Sequence, residues 1–176
     1  MRYLIYSIVV VLFSIAVACG DANHKDKLPE KDLSQAKQPL EKANRYLVVT
    51  EEENINNFVR RYGWEMERTG TGLRYMIYQK GDGPKVELGK IVSLNYELRS
   101  LTGDLIYSSD EDGIMTFLVG RGGVPTGLEE GIKLLSVGDK AKIILPSHLA
   151  YGLMGDDRRI QPKTVLIYDI EVIDLK

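Results

Sequence analysis

The chain of 176 residues holds one cysteine, Cys19, and two histidines, His24 and His148. A single cysteine excludes an internal disulfide framework and any cysteine-rich metal site. Two imidazoles far apart in the chain give no basis for a histidine metal centre, so no metal is expected. An excess of positive charge is also missing. The 23 Lys and Arg against 25 Asp and Glu leave a formal net charge of −2, which argues against nucleic-acid or anionic-membrane binding through a basic surface. What the chain does have is apolar material: 44% hydrophobic and 27% charged residues, enough for a packed core and unlike a disordered composition. The length suits one ordinary domain with accessory segments.

The first eighteen residues are organised differently from the rest. Arg2 is followed by an almost wholly apolar stretch from Tyr3, ending in Ala16-Val17-Ala18 before Cys19. Such a stretch is short for a membrane span, which needs about 20 apolar residues. It suits the hydrophobic core and small-residue cleavage site of a secretory signal. The small residues before Cys19 resemble a bacterial lipobox, with Ala16 where Leu is commoner. Residues 1–18 are therefore expected to be a lipoprotein signal peptide and Cys19 the lipidated residue. A one-pass anchor and an ordinary cleaved signal with an incidental cysteine are the alternatives. Lipidation would anchor the chain to a membrane without spanning it, on the periplasmic side of the cell envelope.

Residues 19–48 are polar, Lys-rich and without apolar period, with Pro29 and Pro39, and read as a flexible tether. Residues 49–71 read as a flanking helix and connector. Thr50 and Glu53 have capping-box form, and Ile55, Phe58, Val59 and Tyr62 make one apolar helical stripe before Gly63. The stripe is expected to dock on the domain; the rival reading is a partner helix. From residue 72 to 176 the signal is mostly strand. Candidate strands are Leu73 to Tyr78, Ile91 to Arg99, Leu105 to Tyr107, Thr116 to Val119, Lys140 to Leu145 and Val165 to Ile173, with turns at Gly81 to Pro84 and Thr102 to Asp104. Leu128, Ile132 and Leu135 have the spacing of one short helix. The expected class is α+β.

Standard catalytic constellations fail. Gly120-Arg121-Gly122-Gly123 lacks both the third glycine of a dinucleotide fingerprint and the Gly-Lys-Ser/Thr of a phosphate cradle. No Gly-x-Ser-x-Gly turn holds Ser147, and its neighbour His148 is poorly placed to act as its base. The runs Asp110-Glu111-Asp112, Glu129-Glu130 and Asp156-Asp157 read as solvated loops and a helix N-terminus.

One pattern remains. Val92-Ser93-Leu94-Asn95-Tyr96, Gly103, Ser108-Ser109, Phe117-Leu118-Val119-Gly120 and Gly127-Leu128-Glu129-Glu130-Gly131 are followed in order by the run Val137 to Pro146, Ala150-Tyr151-Gly152 and the run Val165 to Glu171. In this order and spacing, residues 72–176 resemble an FKBP-type peptidyl-prolyl cis-trans isomerase domain. With the lipobox, the flanking helix and the Tyr107-Ser108-Ser109 segment, the whole chain is similar to gliding-motility-associated FKBP-type lipoproteins of Bacteroidetes. The resemblance implies a five-stranded antiparallel β-sheet wrapped around one short α-helix, preceded by a short N-terminal flanking helix. It implies an isomerase of X-Pro bonds in exported proteins, monomeric and without cofactor. It also implies Tyr151, Tyr96 and Tyr168 as catalytic residues, and Ile106, Tyr107, Met115, Phe117, Val124, Pro125, Leu128 and Ile160 as substrate-binding residues. For each of these positions, plain core packing is the alternative.

The resemblance includes departures. Tyr107 stands where active members carry Asp, Ile106 and Met115 where they carry aromatic residues, and Leu128 where they carry a Trp floor. Pro125 stands where a backbone N–H meets a ligand carbonyl, and proline has none to offer. Reduced activity is therefore expected. The alternative is a weak or inactive FKBP-like chaperone or adaptor that holds extended or prolyl segments, with a component of a motility or secretion apparatus as a further reading.

Overall fold

The computed structural model describes residues 30–176, with side chains from residue 39. The signal segment 1–18, the Cys19 lipidation site and His24 lie outside the described residues. The described residues fall into two units, one ending at Asn44 and one spanning Arg45–Lys176. The second holds the sheet and the site.

The first described element, α1, spans Glu30–Tyr62 and contains Pro39. This corrects both the flexible tether over residues 30–48 and the short flanking helix that starts at Thr50. Residues 30–48 are rich in Glu, Lys, Gln, Ala and Leu, all good helix formers. Their lack of an apolar period reports on what the helix packs against, not on whether the backbone is helical. There follow β1 (Glu67–Arg68), β2 (Arg74–Gln79), β3 (Ile91–Ser100), β4 (Leu105–Ser108), α2 (Ser109–Asp112), β5 (Met115–Leu118), α3 (Thr126–Ile132), β6 (Lys140–Leu145), a 3-10 turn (Ser147–Leu149) and β7 (Leu166–Leu175).

The strands form one antiparallel sheet in the order β1-β2-β6-β7-β3-β4, with β5 also paired to β3. The described residues thus hold a seven-stranded sheet and three α-helices, not five strands around one short helix. Two causes account for the extra strands. β1 adds Glu67 and Arg68 to the edge of β2, opposite Tyr75 and Arg74. The partner on the other edge is broken in two: β4 pairs Glu97 to Arg99 of β3 and β5 pairs Ile91 to Leu94, while α2 leaves the sheet between them. Ser108 starts that excursion, its hydroxyl accepting from Glu111 N–H at 3.3 Å as a helix N-cap does.

Strand alternation gives the sheet two faces. On one, Leu94, Tyr96 and Leu98 of β3, Ile143 and Leu145 of β6, and Leu166, Tyr168 and Ile170 of β7 pack with Leu128, Ile132 and Leu135 in and just after α3. Gly127 and Gly131 let α3 approach this closely, since a Cβ on either would lie 2.8 Å from Leu145 or Ile143. On the other face, Ile144, Val165 and Ile167 pack with Ile55 and Phe58 of α1. The apolar stripe of α1 therefore docks on the sheet, as its spacing suggests. Arg74, 4% exposed, reinforces the docking with bonds from Nη2 to Glu52 at 2.6 Å and Asn56 at 2.7 Å.

Candidate functional site

The site forms where the edge partner of β3 is interrupted. Opposite the gap lies Tyr96. Its backbone N–H donates to the hydroxyl of Ser109 at 3.2 Å, so one side chain of α2 takes the place of a strand partner. A backbone group left unpaired there would be costly. With the main chain satisfied, the Tyr96 ring lies on the α3 face, 6.5 Å from the ring of Tyr168 on the neighbouring strand and inclined to it by 45°.

Tyr96, Tyr168, Leu128 and Ile160 are buried members of one cluster, and Ile106, Tyr107, Met115, Phe117 and Val124 pack half-buried against it. Nine of the eleven residues implied by the resemblance are thereby brought together. Pro125, half-buried, caps the start of α3, where its carbonyl accepts from Leu128 and Glu129. Tyr151 is the most exposed of the three catalytic candidates at 36%. It follows the 3-10 turn that leaves β6.

Tyr107 does something the sequence does not suggest. Its hydroxyl donates to Asp156 Oδ2 at 2.5 Å, while Asp156 Oδ1 accepts from Ile160 N–H at 2.7 Å and Arg158 N–H at 2.9 Å. The Arg159 guanidinium lies 4.8 Å over the Tyr107 ring and donates to Ile106 O at 3.0 Å. A tight turn at residues 155–160 is thus tied to β4. Gly155 is required in it: its φ is +75°, and a Cβ there would meet Ile160 O at 2.3 Å. Asp156 is half-buried and ligated, not the solvated loop residue suggested by its charge. Asp110-Glu111-Asp112 is likewise not loop but α2, with Asp112 accepting from Ser108 N–H. Burial alone would raise the Asp156 pKa, but the Tyr107 hydroxyl and the N–H groups of the turn outweigh it and hold the carboxyl below its ordinary value.

Burial dominates the electrostatics of the three candidate phenols. Burial raises the phenol pKa of Tyr168 far above its ordinary value, with further contributions from Tyr151 and Tyr96. Burial also raises those of Tyr96, beside Asp112 and Tyr151, and of Tyr151, beside Asp156. All three are neutral donors near neutral pH. Arg74 Nη1 is the one buried side-chain polar atom without a partner among the described residues. Among the described residues the site thus gathers apolar side chains and three neutral phenol donors.

A depression of about 250 Å³ lies among Tyr78, Asn95, Glu97, Lys140, Asp169 and Glu171 and reaches Tyr96, Ser109, Asp110 and Ile170 at the edge of the site. Its groups pair with one another, as in Tyr78 to Asp169 at 2.7 Å and Lys140 with Glu171 at 3.5 Å, so it reads as a solvated sheet surface. Among the described residues, no group of three His, Cys, Asp or Glu could hold a metal ion. No described helix is long and apolar enough to cross a membrane.

Comparison with known proteins agrees with this geometry. Residues 83–173 match the family model for FKBP-type peptidyl-prolyl cis-trans isomerases. The chain belongs to the FKBP-type isomerase family. It is 32% identical over 111 residues to the "Probable FKBP-type peptidyl-prolyl cis-trans isomerase FkpA" of Neisseria meningitidis, covering 62% of this chain and 40% of that protein. It is 37% identical over 92 residues to FK506-binding protein 2 of Yarrowia lipolytica, covering 52% and 64%. The chain thus spans less than two thirds of these curated relatives. The crystal structure of AtFKBP13 superposes with a TM-score of 0.61 at 29% identity, covering 64% of this chain and 99% of that one. The FKBP match includes β3 and most of β7 as well as α3, so the elements that carry Tyr96, Leu128 and Tyr168 are those of the family. Ser109, Asp156 and Arg159 are not among the site residues that the family resemblance implies. The Ser108-Ser109 pair was visible as a motif, but nothing in a loop carboxylate announces a partner 49 residues away.

Proposed function

We propose that this FKBP-family chain catalyses cis/trans isomerisation of X-Pro bonds in exported proteins and is held at a membrane by a lipid on Cys19. The observation that carries the catalytic reading is the cluster of Tyr96, Tyr168, Leu128 and Ile160, buried and uncharged, with the more exposed Tyr151 near enough to act on the Tyr96 and Tyr168 phenols. Rotation about a peptide bond faces about 18–20 kcal/mol because amide resonance must be broken. The two X-Pro isomers differ by only about 0.5–1 kcal/mol, so lowering the barrier suffices. The twisted amide loses charge separation, and a dry apolar enclosure favours it over the solvated planar form. Tyr151 donates its hydroxyl to a substrate carbonyl, while Tyr96, Phe117, Leu128 and Tyr168 surround the prolyl ring. Each 1.36 kcal/mol gained at the twisted state is tenfold in rate. The apolar leader ending in Ala16-Val17-Ala18-Cys19 supports a periplasm-facing lipoprotein. The same lipobox with Tyr107-Ser108-Ser109 supports grouping it with gliding-motility-associated members.

The test is cis/trans exchange of a prolyl tetrapeptide, followed by NMR with substoichiometric full chain. Acceleration lost in Tyr151→Phe supports the reading. Full acceleration in that variant removes the role of the hydroxyl, and no acceleration by folded wild-type chain removes the enzyme. A second reading, a binding module with little activity, is favoured by Pro125, which offers no N–H to a ligand carbonyl. Its signature would be saturable shifts of the Tyr96 and Tyr168 resonances by the tetrapeptide without accelerated exchange.

A further inference from the structure

Glu51 lies on α1, one turn before the fully buried Ile55. Its carboxylate takes hold of Ser147, accepting from Ser147 N–H on Oε1 at 2.8 Å and from Ser147 Oγ on Oε2 at 2.6 Å. The carbonyl of Ser147 in turn accepts from Ala150 N–H at 3.0 Å and Gly152 N–H at 2.8 Å. Those two amides flank Tyr151. Two links therefore join α1 to Tyr151: a two-point grip on Ser147, and two backbone bonds from Ser147 to either side of the tyrosine. The grip has a firm base, because Ile55 and Phe58 are packed on the sheet and the adjacent Glu52 is held by Arg74 at 2.6 Å. The other side-chain ties on this turn are weaker and exposed: Thr126 Oγ1 to Leu149 O at 3.5 Å, and His148 with Thr71 O at 3.2 Å.

We propose that Glu51 is a positioning residue for Tyr151, so that α1 is part of the scaffold of the site and not only a spacer leading to it. The inference rests on the reading of Tyr151 as the donor to substrate, but the order of the turn can be measured without it. Hydrogen bonds to a charged acceptor are among the stronger ones, and local opening of a turn follows their loss directly.

The experiment compares full-length wild type, Glu51→Ala, Glu51→Gln and Ser147→Ala by two readouts: amide hydrogen exchange at Ala150 and Gly152, and catalysed exchange of the prolyl tetrapeptide. Glu51→Ala is expected to speed exchange at both amides about tenfold or more, to lower kcat more than it raises KM, and to leave the central amides of Ile143 and Tyr168 unchanged. Glu51→Gln, which still accepts through Oε1 and can donate through Nε2, restores most of both. Ser147→Ala, which removes one of the two contacts, gives a smaller change in the same direction and decides the matter if Glu51→Ala fails to fold. Unchanged exchange at Ala150 and Gly152 overturns the proposal, and so does an equal increase at every sheet amide. If wild-type chain proves inactive, the proposed activity fails, while the amide readout still decides whether Glu51 orders the turn.

Discussion

Replacing Tyr107 by Phe removes one oxygen atom and tests the tie between β4 and the turn at residues 155–160. The hydroxyl makes a single short bond to Asp156 Oδ2. Bonds to charged groups are worth about 1.5–3 kcal/mol. Asp156 is only half-buried, so water can recover part of the loss, and the low end of about 1.5 kcal/mol applies, roughly a tenfold change in the closed population of the turn. The rest of the arrangement survives. The ring keeps its contact with Arg159, and Asp156 Oδ1 keeps the N–H groups of Arg158 and Ile160. The turn should stay intact internally but be tied to β4 only through Arg159, so that it and Ile160 open from β4 more often. In the tetrapeptide assay kcat/KM is expected to fall about three- to tenfold, with Tm lowered by no more than about 5 °C. A double-mutant cycle with Asp156→Asn should show coupling of about 1 kcal/mol or more. Zero coupling, together with wild-type activity in Tyr107→Phe, would refute the clamp.

Three further outcomes follow from the same geometry. The phenols of Tyr96, Tyr151 and Tyr168 are all raised above their ordinary value and so lose their protons only at higher pH, while Asp156, lowered, stays charged until the pH falls below its ordinary range. Catalysed exchange should therefore be flat from about pH 6 to 9, given unperturbed values of about 10 for Tyr and 3.9 for Asp; a rate midpoint inside that window would contradict the assignment. Pro125→Ala supplies the missing N–H and should raise kcat/KM about two- to tenfold, the worth of one neutral hydrogen bond of about 0.5–1.5 kcal/mol; an unchanged rate would mean that no substrate carbonyl comes to residue 125. Ile55→Ala empties a fully buried site between α1 and the sheet and should cost about 2–4 kcal/mol in urea unfolding; a loss under about 1 kcal/mol would mean that α1 is not integral to the fold.

The parts of the molecule legible in the sequence are those where one face of an element is apolar. Leu94, Tyr96 and Leu98 alternate with polar neighbours because β3 has one buried face, and β3 is found where the alternation places it. The same holds for the stripe Ile55, Phe58 and Val59, which locates the docked part of α1. Where burial does not set the pattern, sequence reading falls short. Residues 30–48 are helical without a stripe, and β1 is only Glu67 and Arg68, both exposed. The division of the edge strand into β4 and β5 depends on Ser109 satisfying Tyr96, a contact between distant polar groups. The candidate site positions come from a family pattern and not from periodicity, since alternation marks Tyr96 and Leu98 as equally buried. The residues that hold the pocket in shape are harder still. Glu51 and Ser147 lie 96 residues apart and neither is unusual in its local sequence.

The two-faced sheet explains why the site depends on an element that contributes no residue to it. On β6, Ile143 and Leu145 face the α3 side, while Ile144 between them packs with α1. On β7, Tyr168 and Ile167 divide in the same way. A pleated strand cannot shift one of these faces without the other, so docking of α1 and shaping of the aromatic pocket are set by the same backbone. β6 then ends at Leu145, and Ser147 follows within two residues at the root of the Tyr151 turn. At that point the chain leaves the sheet and ladder bonds no longer hold it. A carboxylate from α1 acts there, just where the backbone bonding of the sheet runs out and before the chain reaches Tyr151.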